Sequence, residues 1–134
     1  MSHIAVVNCQ IKAEHLERLA EAVEKLGGEL KLGQTSFKMY GAQKQPCIHA
    51  IAIKGDASDY EVGLRYKSAT DQETFDMACD FYDGHLTKAF GQNLVGLQNE
   101  YTALVAEKQL RKNGYRVRRD TEAPAHQIRL VAVA

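Results

Sequence analysis

The chain has 134 residues, of which 45% are hydrophobic and 25% charged, and its 17 basic residues balance 17 acidic ones. That length suits one domain around one core, and that composition argues against disorder. With no net charge there is no global field to attract nucleic acid or an anionic membrane, so binding either would need a local patch. No apolar run approaches the ~20 residues of a membrane span. The start, Met1 to Asn8, has neither a basic leader nor a long apolar stretch. The sequence therefore reads as one soluble, cytoplasmic domain over 1–134. Its three cysteines, Cys9, Cys47 and Cys79, are odd in number, which in a reducing compartment predicts free, buried thiols.

In chain order, Ala5, Val7, Cys9 and Ile11 alternate with Val6, Asn8 and Gln10, which predicts a strand over 3–11. Leu16, Leu19, Ala20, Val23 and Leu26 recur at helical spacing and predict a helix over 13–26, stopped by Gly27-Gly28. A loosely alternating strand over 29–40 follows, bent near Gly33, then a loop over 41–46. The apolar run 47–54 reads as a central strand. Tyr60, Val62, Leu64 and Tyr66 alternate with polar positions in a strand over 60–67.

Segment 73–82 fits both periods. Aromatic enrichment and a hairpin loop over 68–72 favour a strand, with Phe75, Met77 and Cys79 on the core side. Leu86, Phe90, Leu94, Leu97, Tyr101 and Leu104 predict a long helix over 85–112, weakened early by Gly91 and Gly96, so that its first turns could be separate or bent, and stopped by Asn113-Gly114. Strands over 115–120 and 128–133 finish the chain. The order β-α-β-β-β-β-α-β-β, with short links, predicts an α+β domain: a single, mainly antiparallel sheet with two helices on one face.

Several of these stretches are familiar together. Met1-Ser2-His3, Leu26-Gly27-Gly28, the run Thr74-Phe75-Asp76-Met77-Ala78-Cys79-Asp80-Phe81-Tyr82, Leu97-Gln98-Asn99-Glu100-Tyr101 and Asn113-Gly114-Tyr115-Arg116-Val117 span most of the chain. Together they resemble the hypothetical chloroplast open reading frame thirty-five family, small proteins of unknown function from plastids, cyanobacteria, other bacteria and some phages. Phe81-Tyr82 stands where that family usually has tryptophans. The resemblance supports a strand over 73–80 and implies no activity, so no catalytic residue is carried over.

No catalytic constellation emerges from the residues. Cys47 and His49 would share a strand face, and Cys79 precedes His85, but neither spacing matches a zinc signature, so no metal or other cofactor is expected. No nucleophile elbow occurs. Asp76 and Asp80 lie about 13 Å apart along a strand, too far to share a proton, and read as its solvated face. Gly27-Gly28 follows a helix, so it offers no helix N-terminus to a phosphate. The densest charge cluster is Arg111, Lys112, Arg116, Arg118 and Arg119, beside Tyr115. Such a cluster could take an anion or RNA, or could simply be a charged edge that blocks aggregation. The expectation is a binding or accessory protein with a protein partner or self-association. Its rival is a small enzyme or weak anion- or RNA-binding module using 111–119.

Overall fold

A computed structural model describes residues 4–55, 60–123 and 127–134. Strand β1 (Ala5–Lys12) leads into helix α1 (Leu16–Lys25) and strand β2 (Gly28–Lys31). Short strands β3 (Ser36–Lys38) and β4 (Lys44–Pro46) come next, then β5 (His49–Ile53), β6 (Val62–Ser68) and β7 (Asp71–Cys79). Helices α2 (His85–Phe90) and α3 (Val95–Lys112) precede β8 (Arg116–Arg119) and β9 (Leu130–Val133).

The main sheet runs β1-β7-β6-β5-β2, and every neighbouring pair is antiparallel. Helix α1 carries the chain from one edge strand to the other. The ambiguous segment is a strand, as its alternation predicts: Arg65 pairs with Asp76 and Tyr66 with Phe75. Phe75, Met77 and Cys79 are buried there. The α+β architecture and its mainly antiparallel sheet are thus those expected.

All the helices pack on one face. Val7, Ile11, Leu64, Phe75 and Met77 of the sheet meet Leu19 and Val23 of α1, Leu86 and Phe90 of α2, and Leu97 and Leu104 of α3 in one core. The Tyr101 hydroxyl accepts the Lys12 backbone N–H at 3.0 Å and so ties α3 to the end of β1.

Three details depart from the expectation. The strand over 29–40 divides at the Leu32-Gly33 turn, so β2 joins the sheet and β3 does not. The loop over 41–46 supplies β4, which pairs with β3 in a two-stranded ribbon. Pro46 is tolerated there because such a ribbon has an open edge that needs no donor. This ribbon covers the sheet's second face, where Phe37 packs with Cys47, Ala50 and Ala78. Gly63 makes that approach possible, since a Cβ there would stand 2.3 Å from the Phe37 ring.

The C-terminal strands also leave the single sheet. Asn113-Gly114 turns the chain back so sharply that the Tyr115 N–H reaches the Leu110 carbonyl at 3.0 Å. Strands β8 and β9 then pair only with each other, against α3. The first turns of the helix over 85–112 are separate, as its early glycines allowed, and the break follows Phe90. Gly91 (φ 88), Asn93 (φ 53) and Leu94 (φ 60) take left-handed conformations. Complete burial of Leu94 offsets the roughly 1–2 kcal/mol that such a φ costs a side-chain-bearing residue. Among the described residues, no helix is long and apolar enough to cross a membrane.

Candidate functional site

The basic segment folds into two environments. Strand alternation sends Arg119 and Val117 toward α3, and Arg116 and Arg118 outward. The Arg119 guanidinium grips two glutamates of α3. Its Nη1 and Nη2 lie 2.7 and 2.9 Å from the Glu100 carboxylate, and its Nε lies 2.8 Å from Glu107. These bonds hold the Glu100 carboxyl below its ordinary range, with the hydrogen bond from Arg119 as the chief cause. Arg111 reaches Glu107 at 3.8 Å and donates to the Val117 carbonyl at 3.3 Å. Arg119 and Arg111 therefore fasten the C-terminal ribbon to α3, and their charge is already answered.

Arg116 and Arg118 differ. Both are exposed, and no ion pair engages either among the described residues. They stand about 6.6 Å apart on one strand face. Their direct cross-strand neighbours on that face are Val133 and Val131. These four residues with Val117 line a shallow groove of about 230 Å³. Lys112 is exposed at the end of α3, and Tyr115 is exposed just before β8. The two valines are the part of this surface that charge counting misses; their alternation with Leu130 and Ala132 in the last strand is the signal that carries it.

The other constellations resolve as scaffold. Cys47 and His49 do not share a face, because the chain bends at Ile48. Cys47 lies in the Phe37 cluster, whereas the His49 ring meets Phe75 edge-on at 5.7 Å. His49 accepts the Gly33 N–H at 2.8 Å through Nδ1, and desolvation pushes it below its usual range. Nor are Asp76 and Asp80 a solvated face. Asp76 takes the Lys67 ammonium at 2.7 Å and the Cys9 N–H at 3.2 Å, across the irregularity in β1. Asp80 is buried and accepts the backbone N–H groups of Tyr40 and Tyr82.

Buried Glu61 accepts the Lys38 N–H at 3.0 Å and the Gln34 amide at 3.1 Å, pinning the chain that leads into β3. Among the described residues no three His, Cys, Asp or Glu side chains group to hold a metal ion. No family model matches the chain, and comparison with curated proteins and with solved structures finds no match.

Proposed function

We propose that the protein is a binding or accessory protein whose contact surface is the outer face of the β8–β9 ribbon, and that its partner is an acidic, aliphatic-bearing segment of another protein. The observation that carries this reading is the pairing of two exposed guanidiniums that make no ion pair among the described residues, Arg116 and Arg118, with Val133 and Val131 directly across the ribbon. Carboxylates suit the former as bidentate partners, and aliphatic side chains suit the latter. A phosphate backbone would use only the cationic half of the face. Two or three free cations on a chain of zero net charge would hold it weakly.

The test is a titration followed by backbone amide shifts. The probes are a peptide of alternating glutamate and leucine and a single-stranded oligonucleotide. The peptide should shift residues of β8 and β9, and the double change Arg116→Glu with Arg118→Glu should abolish the effect with the thermal midpoint unmoved, since exposed charges contribute little stability. Preferential, steeply salt-dependent binding of the oligonucleotide would reassign the surface to nucleic acid. No shift from either probe would remove it as a contact surface.

A further inference from the structure

The β6–β7 end of the sheet gathers aromatic residues far apart in sequence. Tyr60 lies just before β6, and Phe81 and Tyr82 just after β7, so the antiparallel pairing of these strands brings them to one end of the sheet. The turn after β3 delivers Tyr40 to the same place. The rings of Tyr40 and Tyr82 meet edge-to-face, with centroids 5.1 Å apart and planes at 77°. Both stay open to solvent, Tyr40 at 41% and Tyr82 at 67% exposure.

One residue holds both walls in place. The buried Asp80 carboxylate accepts the Tyr82 N–H at 3.0 Å through one oxygen and the Tyr40 N–H at 3.3 Å through the other. The Tyr60 phenol feels the same charges. It titrates above its usual range, through desolvation first, and then through the charges of Asp80 and Asp83 and the phenols of Tyr40 and Tyr82. Asp83 lies on the rim, accepting the His85 N–H at 3.0 Å.

Two exposed rings meeting edge-to-face leave π-surface open to solvent beside their contact, and the buried Asp80 carboxylate lies behind them. We propose that Tyr40 and Tyr82 form a cation-binding corner that takes a quaternary ammonium group, either on a free small molecule or on the methylated lysine of a partner. Ring quadrupoles attract such a cation without hydrogen bonds. A simple ammonium is strongly hydrated and needs acceptors in exchange. The Asp80 oxygens are buried and already occupied by backbone donors, so the corner offers charge at a distance and few acceptors. That combination selects the alkylated head over the bare one.

The test uses the whole chain and NMR of its tyrosine rings. Tetramethylammonium should shift Tyr40 and Tyr82 saturably. 3,3-Dimethylbutan-1-ol, the uncharged isostere of choline, should bind about tenfold more weakly than choline or worse, and free lysine should fall as far below tetramethylammonium. Tyr82→Phe keeps the ring and should keep the binding. Tyr82→Leu should lose about tenfold or more, and Tyr40→Leu likewise. Equal binding of the uncharged isostere, or undiminished binding in Tyr82→Leu, overturns the proposal, as does the absence of any shift. Choline and a trimethyllysine peptide compared side by side distinguish the sources: tighter peptide binding assigns the corner to a protein tail, and equal binding to a small molecule.

Discussion

Arg119 shows how one side chain's role depends on what it faces. By sequence it belongs to a basic run; in the fold it is the clasp between Glu100 and Glu107. Truncating it would strand two largely desolvated carboxylates, so Arg119→Ala should cost about 2 kcal/mol in urea unfolding. That figure is set below the usual cost of a fully buried pair because Arg119 keeps some exposure. The same contact sets a pH dependence. Arg119 lowers the Glu100 pKa in the folded state, so the stabilisation is present above the ordinary glutamate value of about 4.3 and is lost as pH falls through the lowered one. Unfolding free energy should therefore decline from about pH 5 downward, and more shallowly in Arg119→Gln. An unchanged slope would show that Glu100 is not coupled to Arg119. The thiols answer to burial instead. Desolvation, with the charge of Glu61, pushes Cys47 up to about 11, and desolvation with Asp80 pushes Cys79 up to about 12; Cys9 is raised chiefly by desolvation. All three are buried and unpaired. At pH 8 a disulfide reagent should label the native protein slowly and the unfolded protein at all three positions. Three fast native thiols would contradict that burial.

Among the elements, the β3–β4 ribbon depends most on one contact, Phe37 over Gly63. A Cβ at Gly63 would meet two ring carbons at 2.3 and 2.6 Å. Gly63→Ala should therefore destabilise by about 1–3 kcal/mol, and Phe37→Leu combined with it should cost less than the two single changes summed. Strict additivity in calorimetry would mean that the two residues do not press on each other. This ribbon also marks where sequence reading fails. The strand over 71–79 and the helices were legible because their periodicity repeats over several turns or pleats. Lys44-Gln45-Pro46 carries no such period; it is a strand because the Phe37 side of the ribbon is buried, a fact of tertiary packing. The break near Gly91 was legible from the two early glycines, but the left-handed Leu94 was not, since it is held by its neighbours. The basic cluster was legible as residues and not as roles, because Glu100 and Glu107 lie 19 and 12 positions before Arg119. Tyr40 and Tyr82 were invisible as a pair, because only the fold brings the turn after β3 to the end of β7.

At the scale of the whole molecule, the C-terminal ribbon is an appendage to a core completed without it. No residue of β8 or β9 belongs to the main cluster, which β1, β5, β6, β7 and the helices close among themselves. What joins the ribbon to the rest is the glutamate clasp, the Arg111 contacts, and the half-buried Val117 and Leu130 against the outer side of α3. Ending the chain after Gly114 should therefore leave a cooperatively folded protein with its β-sheet circular dichroism retained and its urea midpoint lowered. The loss should have two separable parts. One is the aliphatic contact with α3, about 1 kcal/mol for each half-buried side chain. The other is the exposure of Glu100 and Glu107 without their guanidinium, which should largely disappear when both are changed to glutamine in the shortened chain. If the ribbon is the contact surface for an acidic partner, the shortened chain also loses peptide binding while the Tyr40–Tyr82 corner still responds to tetramethylammonium. Non-cooperative unfolding of the shortened chain would instead make the ribbon part of the fold's own foundation, and Arg116 and Arg118 the solvated rim of a structural clasp.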